Sequence, residues 1–237
     1  MKKLILSLFC ASFLFGLYAA DKQEQEIDLD GQKIRCLVAE PSGKSDKKAK
    51  PALFVFIGGG PGREMQAKAA FDLAKGFAKK NNLYLLTPIS EDDGAFLEGK
   101  NSLVIKVIQK LIADGKVSPT TVVIGGMSNG GVASLQIAGS GEVPVKGVVA
   151  VPGVVTQNMT KKDGWMKTPV YLRIGEQDEL GWAKGLEPSK NVLANAGAIT
   201  DAALVKGGPH IFPIAWDEVE KWMKDNKVME EPAQAKK

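Results

Sequence analysis

TTVVIGGMSNGG, residues 120–131, combines the three parts of one structural unit. The β-branched and aliphatic run from Thr120 to Gly125 predicts a buried strand. A glycine-rich turn follows with the pattern G-x-S-x-G, which has Ser128 at its centre, and a helical pattern begins at about Asn129. A strand, a tight turn and a helix in this order are the setting in which this pattern presents a reactive serine. The alternative is a turn that only packs a helix against a sheet.

Strand and helix patterns alternate along the chain on both sides of this unit. Strands are predicted over residues 26–29, 33–38, 52–57, 83–87, 120–125, 145–151, 170–174 and 202–206. Helices are predicted over residues 64–80, 102–113, 129–138, 188–196 and 214–225. Apolar positions in the helices recur at three- and four-residue steps, so each helix has one apolar face. Helices that connect successive strands make those strands parallel.

The first strands and the central strands are of different kinds. Asp30 and Gly31 predict a type I′ turn between the first two strands, which are therefore antiparallel. The run from Leu53 to Ile57 is apolar at every position, which is typical of a strand covered on both faces. We therefore predict the α/β class: a mostly parallel sheet covered by helices on both faces, with an antiparallel hairpin at its N-terminal edge. Ligands of such sheets bind at the carboxyl ends of the strands.

The N-terminus has the order of an export signal. Two lysines precede an apolar run from Leu4 to Phe15, and the next charged residue is Asp21. The run is too short to span a bilayer comfortably, so a membrane anchor is the less favoured alternative. We predict that residues 1–20 are a signal peptide, that no stable membrane anchor remains after cleavage, and that the protein is secreted or periplasmic.

Residues 21–226 are predicted to form a single domain, followed by a flexible charged tail over residues 227–237. The chain has 237 residues, 44% of them hydrophobic and 24% charged, and this size allows a sizeable core without disulfides or metals. The formal charge of +4 becomes +4 − 2 = +2 without the two lysines of the signal, which is too small to indicate a nucleic-acid partner. Cys10 leaves with the signal, so Cys36 is expected to be a lone, buried strand cysteine.

The chain contains one histidine, His210, in the sequence GGPH directly after the last predicted strand. A serine hydroxyl is a weak nucleophile at neutral pH and needs a base such as imidazole to take its proton. Because the carboxyl ends of parallel strands share one edge of the sheet, His210 and Ser128 are expected on the same edge. The alternative is a histidine that is merely packed or exposed.

An acidic loop, GEQDE at residues 175–179, follows the strand predicted over 170–174. A carboxylate in this loop would orient the imidazole, and the order serine, acid, histidine along the chain is that of one known catalytic arrangement. Glu176, Asp178 and Glu179 are all candidates, because most carboxylates of an acidic loop are simply solvated.

The glycine-rich turn GGGPG, residues 58–62, follows the strand predicted over 52–57. Backbone N–H groups in such a turn can approach a substrate oxygen and stabilise the charge of a tetrahedral intermediate. The alternative is a phosphate-binding loop, but the turn lacks the Lys-Ser/Thr ending, and Arg63 stands where the last glycine of G-x-G-x-x-G belongs. We predict an oxyanion hole with one donor from Gly59 or Gly60 and the other from the backbone N–H of Asn129.

The motifs GGGPG, GMSNG, GEQD and GGPH, in this order, resemble the α/β-hydrolase superfamily over about residues 25 to 225. The chain is most similar to small secreted or periplasmic esterases of the carboxylesterase, dienelactone-hydrolase-like and polyhydroxyalkanoate-depolymerase-like branches. The resemblance implies the α/β-hydrolase fold and a triad of Ser128, Asp178 and His210 that cleaves esters through an acyl-enzyme, without a metal or organic cofactor. It favours Asp178 because it places an aspartate three residues after the glycine. Two departures are the lack of a histidine before the three glycines and the serine where dienelactone hydrolases use cysteine.

The segment of residues 152–167, where this superfamily usually inserts a lid, is too short for a lid domain, so an open site without a large lid is expected. Trp165 and Trp182 follow strands on the catalytic side and are candidates for a substrate pocket, with core packing as the equal alternative. The expected substrate is a small-molecule or oligomeric ester. The alternatives are a prolyl-oligopeptidase-like serine peptidase and a non-catalytic binding protein on the same fold.

Overall fold

The computed structural model describes residues 23–41, 50–92, 94–97, 99–155, 159, 165 and 167–229. The predicted signal peptide, most of the charged tail and much of the segment 152–167 lie outside these residues. Within the described residues the strands are β1 Glu24–Leu29, β2 Gln32–Ala39, β3 Leu53–Ile57, β4 Tyr84–Pro88, β5 Val122–Gly126, β6 Val145–Ala150, β7 Pro169–Gly175 and β8 Ile199–Val205. The α-helices are α1 Glu64–Lys80, α2 Asn101–Ala113, α3 Asn129–Ser140, α4 Leu186–Asn195 and α5 Trp216–Asp225. These bounds differ from the predicted ones by at most three residues.

All eight of these strands form one sheet in the order β1-β2-β4-β3-β5-β6-β7-β8. β1 pairs with β2 and β2 with β4 in antiparallel fashion, whereas every pairing from β4 to β8 is parallel. Asp30 and Gly31, which connect β1 to β2, have φ angles of 56° and 95°. Positive φ at both central residues is the requirement of a type I′ turn, so the predicted hairpin is confirmed.

Helices cover both faces of the sheet, and the alternation of side chains along each strand divides the core into two parts. Leu53, Val55 and Ile57 of β3 pack with apolar residues of α2, α3 and α4. Phe54 and Phe56 point to the other face, where they pack with α1 and α5. The predicted α/β class is therefore confirmed, with doubly covered central strands.

Strand β8 begins three residues before the predicted start at residue 202. Its first residues, Ile199 and Thr200, pair with Pro169 and Val170 of β7. β8 is the last strand of the sheet, and Ile199 is 52% exposed. An edge strand that is solvated on one side lacks the continuous apolar run of a central strand, which explains why the pattern underestimates its length.

Cys36 is completely buried in β2, as expected from the sequence, and burial raises the pKa of its thiol to about 12. Because the thiolate is the reactive form, we expect this thiol to be inert in the folded protein. Iodoacetamide at mildly alkaline pH should leave the peptide that contains Cys36 unmodified in the native protein and alkylate it in concentrated guanidinium chloride. Mass spectrometry of that peptide checks the prediction. Equal modification in both conditions would contradict it.

Two structural features are not found in the described part of the chain. No helix there is both long enough and apolar enough to cross a membrane. No cluster of three or more His, Cys, Asp or Glu side chains there is arranged to hold a metal ion.

Candidate active site

The loops that follow β3, β5, β7 and β8 meet at the carboxyl edge of the sheet. They carry, respectively, the glycine-rich turn at residues 58–62, Ser128, Asp178 and His210. The parallel direction of these four strands brings all the loops to one side. Residues that are up to 82 positions apart in the chain thereby come within hydrogen-bonding distance.

Ser128 occupies the sharp turn between β5 and α3, with φ 55° and ψ −124°. This backbone conformation is costly for any residue with a side chain, by about 1–3 kcal/mol. The surrounding chain holds the turn in place: the Ser128 N–H donates to the Pro152 carbonyl at 2.9 Å, and its own carbonyl accepts the Val132 N–H at 3.0 Å. Ser128 as a whole residue is half-buried.

Gly126 and Gly130 allow α3 to start directly against the sheet. A Cβ on Gly126 would lie 2.5 Å from the Gly130 carbonyl oxygen, and a Cβ on Gly130 would lie 2.6 Å from the Gly58 oxygen and overlap the Ile57 oxygen. All of these contacts are with backbone atoms, which cannot move aside as a flexible side chain can. The two glycines are therefore required for the close approach of β3, β5 and α3.

Gly130→Ala is expected to lower the free energy of unfolding by about 3 kcal/mol or more, because the new methyl group overlaps the carbonyl groups of Ile57 at the end of β3 and of Gly58. The matched control is Gly76→Ala in the interior of α1, where a Cβ would meet nothing within 4 Å. That change should raise the free energy of unfolding by roughly 0.5–1 kcal/mol, because alanine is the better helix former. Urea unfolding of both variants measures the difference, and equal effects would contradict the packing argument.

His210 lies between the other two predicted catalytic residues. Its Nε2 is 2.8 Å from the Ser128 Oγ, and its Nδ1 is 2.7 Å from Oδ2 of Asp178. The His210 side chain is 7% exposed and that of Asp178 is 0% exposed. A carboxylate beside Nδ1 favours the proton on that nitrogen, which leaves Nε2 free to accept the Ser128 hydroxyl proton. This arrangement can convert the serine hydroxyl into a nucleophile.

The three carboxylates of the acidic loop have different partners. Oδ1 of Asp178 accepts the Leu180 N–H at 2.8 Å and the Trp182 N–H at 3.4 Å, so the carboxylate is held in place while Oδ2 faces the imidazole. Glu176 and Glu179 instead accept main-chain N–H groups of the loop that carries the histidine. Of the three candidates, the structure brings only Asp178 to the imidazole. No sequence signal distinguished these roles, since the three side chains carry the same chemical group.

The glycine-rich turn after β3 lies directly beside the serine. A Cβ on Gly59 would be 3.2 Å from the Ser128 Cβ, and the Asn129 side-chain amide donates to the Gly60 carbonyl at 3.0 Å. No residue of the described chain accepts a hydrogen bond from the backbone N–H of Gly59, Gly60 or Asn129. The Asn129 N–H also belongs to the first turn of α3, where the helix dipole favours negative charge. These groups are suited to binding an oxyanion.

Trp165 and Trp182, which are equal pocket candidates by sequence, have different surroundings in the structure. The Trp182 ring contacts the His210 imidazole edge to face, with ring centroids 4.9 Å apart and an angle of 82° between the planes. Trp165 is 0% exposed and lies in the core against α3, where a Cβ on Gly139 would be 2.6 Å from its Nε1. Trp165 therefore corresponds to the core-packing alternative, whereas Trp182 borders the candidate site.

The sheet topology and the turn that carries Ser128 are those of the α/β-hydrolase fold, and known structures share this fold. The structure of a fungal esterase from Rhizomucor miehei superposes with a TM-score of 0.68 at 14% identity, covering 87% of this chain and 82% of the other. A phospholipase/carboxylesterase from Dyadobacter fermentans gives a TM-score of 0.60 at 18% identity, and the match covers 82% of this chain and 96% of the other. Esterase 2 of Thermogutta terrifontis superposes with a TM-score of 0.66 at 12% identity, and the match covers 89% of this chain and 97% of the esterase. At these identities the likeness shows the fold.

The chain belongs to the phospholipase/carboxylesterase family. The model of that family matches residues 82–213, which is more than half of the 237 residues and includes Ser128, Asp178 and His210. A comparison with curated protein sequences gives no significant match. The resemblance to an α/β-hydrolase esterase, stated from four short motifs, is thereby confirmed.

Proposed function

We propose that the protein is an exported serine esterase that hydrolyses carboxylic esters through an acyl-enzyme formed on Ser128. The observation that carries the proposal is the continuous hydrogen-bonded chain from Asp178 through His210 to the Ser128 hydroxyl. Each of the three roles of nucleophile, base and orienting acid has one residue, and the three side chains meet at the edge where ligands of this fold bind.

The proposed reaction begins when His210 Nε2 takes the hydroxyl proton as Ser128 Oγ attacks the ester carbonyl carbon. The carbonyl oxygen becomes an oxyanion that accepts hydrogen bonds from the backbone N–H of Gly59 and of Asn129, and the imidazolium is stabilised by Asp178. The intermediate expels the alcohol, which takes the proton from His210. Water then attacks the acyl-enzyme with His210 again as the base, and release of the carboxylic acid restores Ser128.

Gly59 is the preferred first donor because it lies against Ser128, whereas Gly60 is exposed and engages Asn129 through its carbonyl oxygen. The glycine at this position lets the backbone approach the reacting carbonyl without an intervening side chain. A single donor of this kind contributes roughly 3–4 kcal/mol of transition-state stabilisation. The proposed site needs neither a metal nor an organic cofactor.

Ester rather than peptide substrates are proposed because the family to which the chain belongs is one of phospholipases and carboxylesterases. The same constellation cleaves amides, so a serine peptidase is the alternative outcome of substrate assays. Export to the periplasm or the medium is proposed on the N-terminal sequence of residues 1–20. Cell fractionation followed by N-terminal sequencing tests this part, and a protein found in the cytoplasm with Met1 at its N-terminus would overturn it.

The test of the proposed function is reaction of the purified protein with a fluorophosphonate, which labels activated serines without requiring knowledge of the substrate. We expect one adduct per chain, located on Ser128 by mass spectrometry, together with hydrolysis of short-chain p-nitrophenyl esters. A folded protein that forms no adduct would favour a non-catalytic binding function. An adduct with cleavage of peptides but not of esters would favour the peptidase alternative.

A further inference from the structure

The loop that carries His210 is attached to the acidic loop by several hydrogen bonds besides the one to its imidazole. Main-chain bonds join the acidic loop to the end of β8 and to the loop after it: the Glu176 N–H donates to the Val205 carbonyl at 3.0 Å, and the Gln177 N–H donates to the Gly208 carbonyl at 2.8 Å. The side chain of Glu176 accepts the Gly207 N–H at 2.8 Å. The side chain of Glu179 accepts the N–H of His210 itself at 2.9 Å.

The two loops are also in direct van der Waals contact. Any Cβ on Gly175, the last residue of β7, would overlap the carbonyl oxygens of Gly208 and Pro209. The loops therefore pack backbone to backbone, and the Glu179 carboxylate reaches the main chain at the point where the imidazole is attached. Since the Cα of His210 is adjacent to that N–H, the bond restricts the origin of the side chain.

The bond from His210 to Glu179 is of the strong, charge-assisted kind. Donation by the His210 N–H is the largest cause of a lowered pKa for the Glu179 carboxyl, so this bond favours the ionised form that a glutamate already has at neutral pH. A hydrogen bond to an ionised carboxylate is roughly twice as strong as one between neutral groups. Asp178 holds Nδ1 of the ring, Trp182 borders one side of the ring, and Glu179 holds the main chain.

We propose that Glu179 is a positioning residue, which fixes the main chain of His210 so that the imidazole stays aligned between Asp178 and Ser128. The proposal rests on the proposed function of these three residues, but it concerns a group that does not touch the reacting atoms. Its expected importance follows from geometry, because a displacement of about 1 Å at a reacting group can lower a rate by roughly 100-fold.

The first test compares Glu179→Gln with Glu179→Leu in the full-length chain, using p-nitrophenyl acetate as the substrate. The glutamine amide oxygen can accept the same N–H, so Glu179→Gln should keep kcat within about threefold of the original protein, whereas Glu179→Leu should lower kcat by roughly 30-fold with KM nearly unchanged. Thermal unfolding verifies that both variants are folded. A Glu179→Leu variant with normal kcat, or a loss that appears only in KM, would overturn the proposal.

Two matched changes control for the loss of a loop carboxylate. Glu176→Leu removes the equivalent bond three residues before the histidine and should lower kcat much less than Glu179→Leu. Glu187→Leu removes an exposed carboxylate that pairs with Lys190 within α4, and this change should leave kcat unchanged. If Glu176→Leu lowers kcat as much as Glu179→Leu, the specific role of Glu179 is refuted.

A second readout is independent of catalysis. Because the chain contains a single histidine, protein with isotope-labelled histidine and a histidine-free purification tag gives imidazole NMR signals from His210 alone. Glu179→Leu should shift or broaden the downfield Nδ1–H signal, and Glu179→Gln should preserve it. An unchanged signal in Glu179→Leu would refute the positioning role even in a protein without esterase activity. Absence of activity and of fluorophosphonate labelling in the original protein would instead refute the proposed function.

Discussion

Ser128→Ala and His210→Ala are each expected to lower kcat for ester hydrolysis by roughly 10⁶-fold, because nucleophile and base act as one unit and the loss of either disables both. The kcat of the double variant should be no lower than that of either single variant. The oxyanion donors and the binding of the substrate still accelerate hydrolysis in these variants, and this residual rate sets the lower limit of kcat. Initial rates with p-nitrophenyl acetate at saturating concentration provide the measurement, and activity within tenfold of the original protein in either variant would refute the assignment.

Ser128→Gly is the structural control for this prediction. It removes the nucleophile as Ser128→Ala does, but it also removes the Cβ from a residue with φ 55°. The relief of backbone strain exceeds the greater chain entropy of glycine in the unfolded state, so Ser128→Gly should be more stable than Ser128→Ala by about 1 kcal/mol. This difference corresponds to roughly 2–4 °C in Tm. Equal stability of the two inactive variants would contradict the strain argument.

Asp178→Asn is expected to lower kcat by roughly 10⁴-fold with little change in KM. An asparagine amide facing Nδ1 would favour the tautomer with the proton on Nε2, which cannot then accept the Ser128 proton. The amide also loses the negative charge that stabilises the imidazolium. Steady-state kinetics of the purified variant measure the effect.

Glu176→Gln and Glu179→Gln are the matched controls for this prediction, because they neutralise carboxylates of the same loop that do not contact the imidazole. Both should retain kcat within about threefold, since a glutamine oxygen can still accept a main-chain N–H. If kcat falls more in Glu176→Gln or in Glu179→Gln than in Asp178→Asn, the role of the acid belongs to that glutamate instead.

The predicted elements agree with the structure because their signals are local. The apolar positions of α1 at three- and four-residue steps are those that the structure buries, and the predicted bounds, 64–80, equal those of the helix. The apolar run of β3 and the type I′ turn at Asp30 and Gly31 are likewise encoded by neighbouring residues. β8 is the exception, because an edge strand lacks the pattern of a strand covered on both faces.

The candidate site could be predicted only in part from the sequence. Ser128 and His210 each stand in a loop with a distinctive motif, and the fold class places both loops on one edge, so their proximity follows from topology. The choice of Asp178 over two neighbouring glutamates rested on a resemblance, because the sequence contains no signal that separates three carboxylates of one loop. The contacts in the structure separate them.

The α/β class, the order of the elements and the motifs that occupy the carboxyl edge are encoded locally, because they depend on periodicity and on residues within a few positions of one another. Three further features follow from the packing of the folded chain: Asp178 is the carboxylate that meets the imidazole, Glu179 accepts the main-chain N–H of His210, and Trp182 rather than Trp165 borders the site. Those contacts join His210 to residues 28 to 32 positions away (210 − 182 = 28): the two hydrogen bonds are 2.7 and 2.9 Å long, and the centroids of the Trp182 and His210 rings are 4.9 Å apart. At that range, differences of 1 Å in how loops pack decide the outcome, and no local pattern records them.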